Sequence, residues 1–273
     1  MHAICVTCGT QFAESEAPPA TCPICEDERQ FVGWAGQAWT TLEDLRAQHR
    51  LALGDEGDGL LGIGCEPRFA IGQRALLVPA AAGEGPGRNV LWDCISLIDD
   101  AAVRVVEALG GVAAIAISHP HYYSSMVEWS RAFGGVPIYL HADERAWMMR
   151  PDPAVVLWEG EQLGIGDGVT LLRLGGHFSG AQVLHWTGAD GRGVLLAGDI
   201  LQVVQDRRFV SFMYSYPNYI PLPAATVRRM VERLEPYPFE RVYGAWFGAV
   251  VRADAKAAVH RSAERYIRAL ESA

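Results

Sequence analysis

The sequence predicts a large α/β domain preceded by a small, separately organised cysteine-rich unit. From about residue 61 onward, short apolar runs alternate with amphipathic stretches, as strands and helices do when they share one core. Half of the 273 residues are hydrophobic, enough to bury such a core. Four of the six cysteines fall in two C-x-x-C pairs near the start, in a stretch too short to build a core of its own.

That stretch, residues 1 to 34, carries Cys5-Val6-Thr7-Cys8-Gly9 and Cys22-Pro23-Ile24-Cys25, with thirteen residues between the inner cysteines. Two such knuckles give the four thiolates of a closed tetrahedral zinc site, with Zn–S bonds of about 2.3 Å. A thioredoxin-like redox motif would use one pair in a βαβ setting, which leaves the second pair unexplained. The expectation is a zinc ribbon whose metal supplies most of its folding free energy. Its acids Glu14, Glu16, Glu26, Asp27 and Glu28 outnumber Arg29. Contact with a protein partner or a second copy therefore suits it better than nucleic acid.

The whole chain points the same way, since 23 basic and 32 acidic residues leave a formal charge of −9 that repels polyanions. No apolar run reaches the roughly 18 residues of a bilayer span. The start, Met1-His2-Ala3-Ile4-Cys5, lacks the basic and apolar regions of a signal peptide. A cytoplasmic protein acting on a small molecule, with no membrane partner, is expected.

Residues 35 to 60 read as a connector with one short helix, capped by Thr41 with Asp44 three residues on and broken by Asp55-Glu56-Gly57-Asp58-Gly59. The α/β domain then runs from 61 to 273. Phe69–Val78 and Asn89–Asp93 read as a hairpin around the Gly-rich stretch Gly83–Gly87. A helix follows from about Asp99, with Val103, Val106 and Leu109 on one face and Gly110-Gly111 as its stop. Val112–Ile117 is a buried strand by length and branching. Further strands are expected at 136–140, 169–174, 182–187 and 193–198, and helices at 223–234 and 252–270.

The chemistry concentrates where strands end. His119-Pro120-His121 follows the buried strand, and side chains two apart in an extended segment face the same way. His177 lies in Gly175-Gly176-His177-Phe178-Ser179-Gly180, where glycines let a loop approach closely. Asp199 follows the apolar run Val194–Gly198. Three imidazoles and a carboxylate suit zinc, or non-haem iron where positions stay open. His2, His49, His185 and His260 are assigned to packing or solvent. His141 ends a strand and starts a helix, and Cys65 and Cys94 read as small buried hydrophobes. Phe209, Phe212, Tyr214 and Tyr216 sit near Pro217 and Pro221, as either a loop walling a substrate or ordinary packing. Arg207 and Arg208 read as a solvated face, with capture of an anionic group as the lesser reading.

Ser118-His119-Pro120-His121-Tyr122-Tyr123-Ser124, then Gly176-His177, then Gly198-Asp199, with Asp93 ending an earlier strand, resembles the metallo-β-lactamase superfamily over about residues 65 to 250. The resemblance implies a four-layer αββα sandwich with metal held at one edge between two sheets. It implies a first metal position formed by His119, His121 and His177 with Asp199 alongside as ligand and catalytic residue, and a supporting role behind it for Asp93; His141 is read as a supporting residue too, with ligation as the lesser reading. The family's second position needs an aspartate and a histidine where this chain has Tyr123 and Ser124. It also needs a late histidine that Gly244-Ala245-Trp246-Phe247-Gly248 replaces. One metal is therefore expected, with Trp246 in the substrate wall and Tyr123 donating to an oxyanion. The implied activity is mononuclear hydrolysis of a small ester, lactone or thioester-like substrate by metal-bound hydroxide. A mononuclear iron oxygenase acting on sulfur, and a non-catalytic metal-containing scaffold, are the alternatives.

Overall fold

The computed structural model describes residues 1–80 and 87–272. A seven-stranded sheet runs in chain order: β1 (Arg50–Gly57), β2 (Leu60–Glu66), β3 (Ala75–Val78), β4 (Asn89–Trp92), β5 (Val112–Ala116), β6 (Ile138–His141) and β7 (Val155–Trp158). Its first four strands pair antiparallel and its last four parallel. A six-stranded sheet follows: β8 (Gln162–Gly166), β9 (Val169–Arg173), β10 (Gln182–Trp186), β11 (Val194–Gly198), β12 (Arg241–Gly244) and β13 (Val250–Val251), of which only β11 and β12 pair in parallel.

Alternation along each strand builds the layers. In β11, Val194 and Leu196 meet Val90, Trp92 and Ala116 of the other sheet, while Leu195 and Ala197 face the helices Ala224–Leu234 and Ala255–Glu271. In β5, Ala114 and Ala116 face inward, while Ile115 packs with Ala102 and Val106 of the helix Asp100–Ala108 and with Met126, Val127 and Trp129 of the helix Met126–Ala132. The result is the expected αββα sandwich, and sheets packed face to face expose their strand ends along one shared edge. Among the described residues no helix is long and apolar enough to cross a membrane.

Two expectations are corrected here. The stretch read as a connector does hold the helix Leu42–Gln48, with the Thr41 side chain accepting from Asp44 N–H, but Arg50–Gly57 is a strand of the main sheet. Its glycines concealed it, because glycine is normally depleted from strands. Here they make room: the Phe247 ring lies over Gly54, Gly62 and Gly64, and a Cβ at Gly62 would sit 2.6 Å from it. The helix face also differs, since Leu109 is 52% exposed and Ala102 takes the inner position. The β3–β4 hairpin forms with Leu76 opposite Trp92. Gly83–Pro86 of its expected turn lie outside the described residues.

A buried ion pair fastens the edge strand to the far loop. Arg74 (1% exposed) and Glu56 (3% exposed) lie 3.5 Å apart, and Glu56 also accepts from Gly248 N–H. Glu56→Ala strands the Arg74 charge out of water and is expected to lower unfolding free energy by about 3 kcal/mol. Urea denaturation measures it, and a loss below about 1 kcal/mol would show the pair does not hold the edge.

Candidate metal centre

At the end of β5, His119 is fully extended (φ −169°, ψ 172°), and Pro120 then starts a 3-10 turn, Pro120–Tyr122. The two histidines converge through this turn rather than by strand alternation. A turn of three residues eclipses positions i and i+3, so Tyr122 lies on His119 with ring centroids 4.4 Å apart. Tyr123 is rotated away and packs in the helix-side core. The expected oxyanion donor is thus misplaced, and Tyr122 is the tyrosine at the site.

His177 is delivered by Gly175 (φ 68°) and Gly176 (φ 83°), where a Cβ on Gly176 would meet the Met230 sulfur at 2.7 Å. The three imidazoles then form a triangle with centroids 5.1, 4.8 and 5.1 Å apart, each 1–3% exposed. One ligand atom from each lies within 4.8 Å of those of the others.

Neighbours orient the rings. Ser118 Oγ lies 2.9 Å from His119 Nδ1, and Ser118 N–H donates to Asp93 at 2.8 Å, so Asp93 fixes the turn from behind. The carbonyl of Met213 lies 3.1 Å from His177 Nδ1, which leaves Nε2 facing His121 Nδ1 at 3.2 Å. His119 Nε2 points at Asp199 Oδ1, 3.4 Å away, and both atoms are buried without a hydrogen-bond partner. Such orphaned groups cost about 1–3 kcal/mol each unless something satisfies them. A cation at this convergence does so, and the donor set fits zinc or iron. Burial pushes His177 down to about 4 and His119 and His121 well below their usual range, so the rings are in the neutral, ligating form. Burial also raises Asp199 to about 7.

The four cysteines gather as a second set, with Cys5 and Cys25 sulfurs 3.6 Å apart and Cys8 and Cys22 sulfurs 3.7 Å apart, all free and essentially buried. These two are the metal-capable groups found among the described residues. The ribbon is seated on the large domain beside the histidine turn. Gln11 N–H donates to the Ser124 carbonyl at 3.0 Å, Ser96 Oγ donates to the Gly9 carbonyl at 2.7 Å, and Tyr123 and Ser124 line a narrow crevice with Thr10 and Gln11. Positions where the resemblance expects second-metal ligands therefore face the ribbon.

The ribbon also forms part of the site. Asp27 grips Arg29, whose guanidinium lies 4.0 Å above the Phe178 ring and 3.5 Å from the His177 carbonyl. Asn218 donates to the carbonyls of Glu28 and Gln30, and Tyr214 donates to Glu28, lacing the 213–218 loop to it. Thr7, Arg29, Gln30 and Phe31 of the ribbon side, Ile71, Trp246, Tyr216 and Pro217, together with His121, His177 and Asp199, enclose a cavity of about 240 Å³.

Of the residues read as a substrate wall, Tyr216 and Trp246 line this cavity. Phe209, Phe212 and Tyr214 do not. Phe212 is buried against Tyr266, Phe209 stacks under Arg265 at 3.8 Å, and Tyr214 is engaged by Arg29 and Glu28. The loop is too tightly packed to turn every aromatic one way. His141 bonds the Gly160 carbonyl and Asp143 N–H and rests on Trp158, reaching no metal-site residue. Arg207 and Arg208 are exposed, and Arg208 pairs with Asp206. Arg29 and Phe31 left no sequence signal, whereas Tyr122 was signalled by its place three residues after His119.

Loss of the ribbon ion, as in Cys22→Ser, is expected to raise hydrogen exchange at residues 213–218 as well as 1–34 while β4 and β5 stay protected. Unchanged exchange at 213–218 would show the loop stands without the ribbon. In metal-stripped protein His177 resists protonation, whereas the unfolded chain takes up that proton below about 6.5. Stability attributable to this ring therefore falls as pH drops from about 6.5 to about 4, by about 3 kcal/mol, and is flat outside that window. His177→Gln should remove that part of the slope between pH 7 and 4.5 in urea denaturation.

The sequence pattern of the Metallo-beta-lactamase superfamily matches residues 81–246, more than half of the chain. YmaE of Bacillus subtilis (strain 168) is 50% identical over 272 residues, covering 98% of this chain and 97% of that protein. The crystal structure of VMB-1 aligns with a TM-score of 0.58 at 14% identity, over 81% of this chain and 98% of that one. DIM-1 metallo-beta-lactamase aligns at 0.57 and 12%, again over 81% and 98%. At such identities the structural likeness concerns the fold, while the matched pattern and the strand-end histidines agree with it. The chain belongs to the metallo-β-lactamase superfamily.

Proposed function

We propose that the chain is a metal-dependent hydrolase with one metal at the histidine centre, acting on a small ester, lactone or thioester-like carbonyl. The observation that carries this reading is the convergence of His119, His121 and His177 beside the orphaned Asp199 oxygen, on the wall of a cavity of about 240 Å³. A zinc ion held there supplies a Lewis acid that polarises a carbonyl and acidifies water. The single-metal state is supported by Ser124, which anchors the ribbon, and by Trp246, which lines the cavity with a donor-only ring.

The chain's own groups perform the rest. Asp199 turns its buried Oδ1 toward His119 Nε2, where it would hold the ion together with the three imidazoles and fix its position against the cavity. Tyr216 holds that residue by donating to its carbonyl at 2.6 Å, and the buried Tyr122 hydroxyl is held fully protonated by burial and the nearby Asp199 charge. Tyr122 is thus a donor through the pH range of the reaction. Ile71, Trp246 and Phe31 keep the cavity apolar, and Arg29 places a positive charge beside it.

Metal analysis of purified protein should give one ion at the cysteines and one at the histidines. His119→Ala with His177→Ala should lose one and retain the other, and unchanged stoichiometry overturns the site. Asp199→Asn is expected to lower metal retention or kcat about 10- to 100-fold on a responsive ester, lactone or thioester. Iron at the histidine site with oxygen uptake on thiols would assign oxidation instead.

A further inference from the structure

Next to the histidine cavity, across Phe31 and Pro217, lies a second hollow of about 580 Å³, lined by Phe31, Val32, Trp34, Pro217 and Asn218. Phe31 and Pro217 belong to both. The outer hollow presents apolar side chains to water: Phe31 is 45%, Val32 41% and Trp34 106% exposed. Large hydrophobes that gather beside a cavity mark a binding surface, whereas scattered ones mark nothing.

The display is built into the backbone. Trp34 stands at the tip of a tight turn closed by Gly36 N–H donating to the Gly33 carbonyl at 2.8 Å. One end of the segment is tied at Gln30 by the Asn218 side chain, the other at Ala38 by Val6 N–H. Both ends being tied, the indole is held out in water beside the cavity rather than frayed from it. Nothing in the proposed chemistry uses it.

We propose that this hollow is a subsite for an apolar acyl or aryl arm of the substrate, which leaves the carbonyl at the metal centre, passes between Phe31 and Pro217, and lies on Val32 and Trp34. The assignment rests on the hydrolase reading and narrows it to substrates with an extended, uncharged arm. That Phe31 and Pro217 line both hollows favours a substrate arm, which needs only to cross between them. The acidic ribbon residues Glu26, Asp27 and Glu28, which shortly precede Phe31 in the chain, and the net charge of −9 oppose docking on an anionic bilayer.

Two measurements test it. The ratio of kcat/KM for p-nitrophenyl octanoate over p-nitrophenyl acetate is expected to be about 10- to 100-fold, below the roughly fourfold per methylene of complete burial. It should fall toward one in Trp34→Ala and in Val32→Ser, with metal content and circular dichroism confirming the fold. Independently of turnover, 1-octanol should blue-shift wild-type tryptophan emission by an increment missing from Trp34→Phe. If no ester is hydrolysed yet octanol moves Trp34 emission, the subsite stands and the hydrolase reading fails. If esters are cleaved at a rate indifferent to chain length and to both substitutions, the subsite fails and the hydrolase reading stands. An emission shift with phosphatidylglycerol vesicles but not octanol, or a dimer that Trp34→Ala dissociates, assigns the surface to a bilayer or a second copy and overturns the proposal.

Discussion

Burial of three imidazoles without proton partners is the constraint around which the site is organised. In bulk water their ring nitrogens would be solvated and free to protonate, but packing on Tyr122 and Phe178 buries them. Desolvation then holds all three neutral, and Ser118 and the Met213 carbonyl engage one nitrogen on each of two rings. What remains is a set of ring nitrogens facing one another and the Asp199 oxygen, a set that one cation can satisfy together. The sandwich supplies the rigidity this needs. His119 leaves β5 of one sheet and Asp199 leaves β11 of the other, so their 3.4 Å separation is set by two sheets packed across a shared core.

The same edge explains the ribbon. A four-cysteine unit with few apolar residues cannot stand by packing alone, and its outer backbone groups need partners beyond it. Gly9, Gln11 and Ala13 find them on Ser96, Ser124 and Met149. Ser124 sits just beyond the histidine turn. Tyr123 and Ser124 thus form a seat for the ribbon, and the ribbon places Arg29 and Phe31 in the cavity wall. Arg29 is tolerated beside the three imidazoles because Asp27 neutralises it and Phe178 offers its ring face, so its charge is present but locally compensated.

Local pattern made most of this fold legible. Branched apolar runs gave β4, β5, β10 and β11, the two-to-one alternation gave their faces, and Thr41 and Asp99 marked helix starts by the caps they form. The paired cysteines and the order of His119, His121, His177 and Asp199 carried the chemistry, because metal ligands are constrained by residue type as well as place. The Gly-rich edge strands were illegible since their reason is Phe247, nearly 200 residues away in the chain.

The sequence alone determined which residues can bind metal and which segments are buried, since both depend on side-chain chemistry and on periods of two or 3.6 residues. Tertiary structure decided which neighbours those residues meet. It placed Tyr122 rather than Tyr123 at His119, because a 3-10 turn rather than a strand follows. It kept Tyr216 and Trp246 in the wall while drawing Phe209, Phe212 and Tyr214 into other contacts. It brought Arg29 against His177 across 148 residues of chain. Contacts of that kind are fixed by how sheets and ribbon pack, a property of the assembled layers that no local stretch of sequence contains.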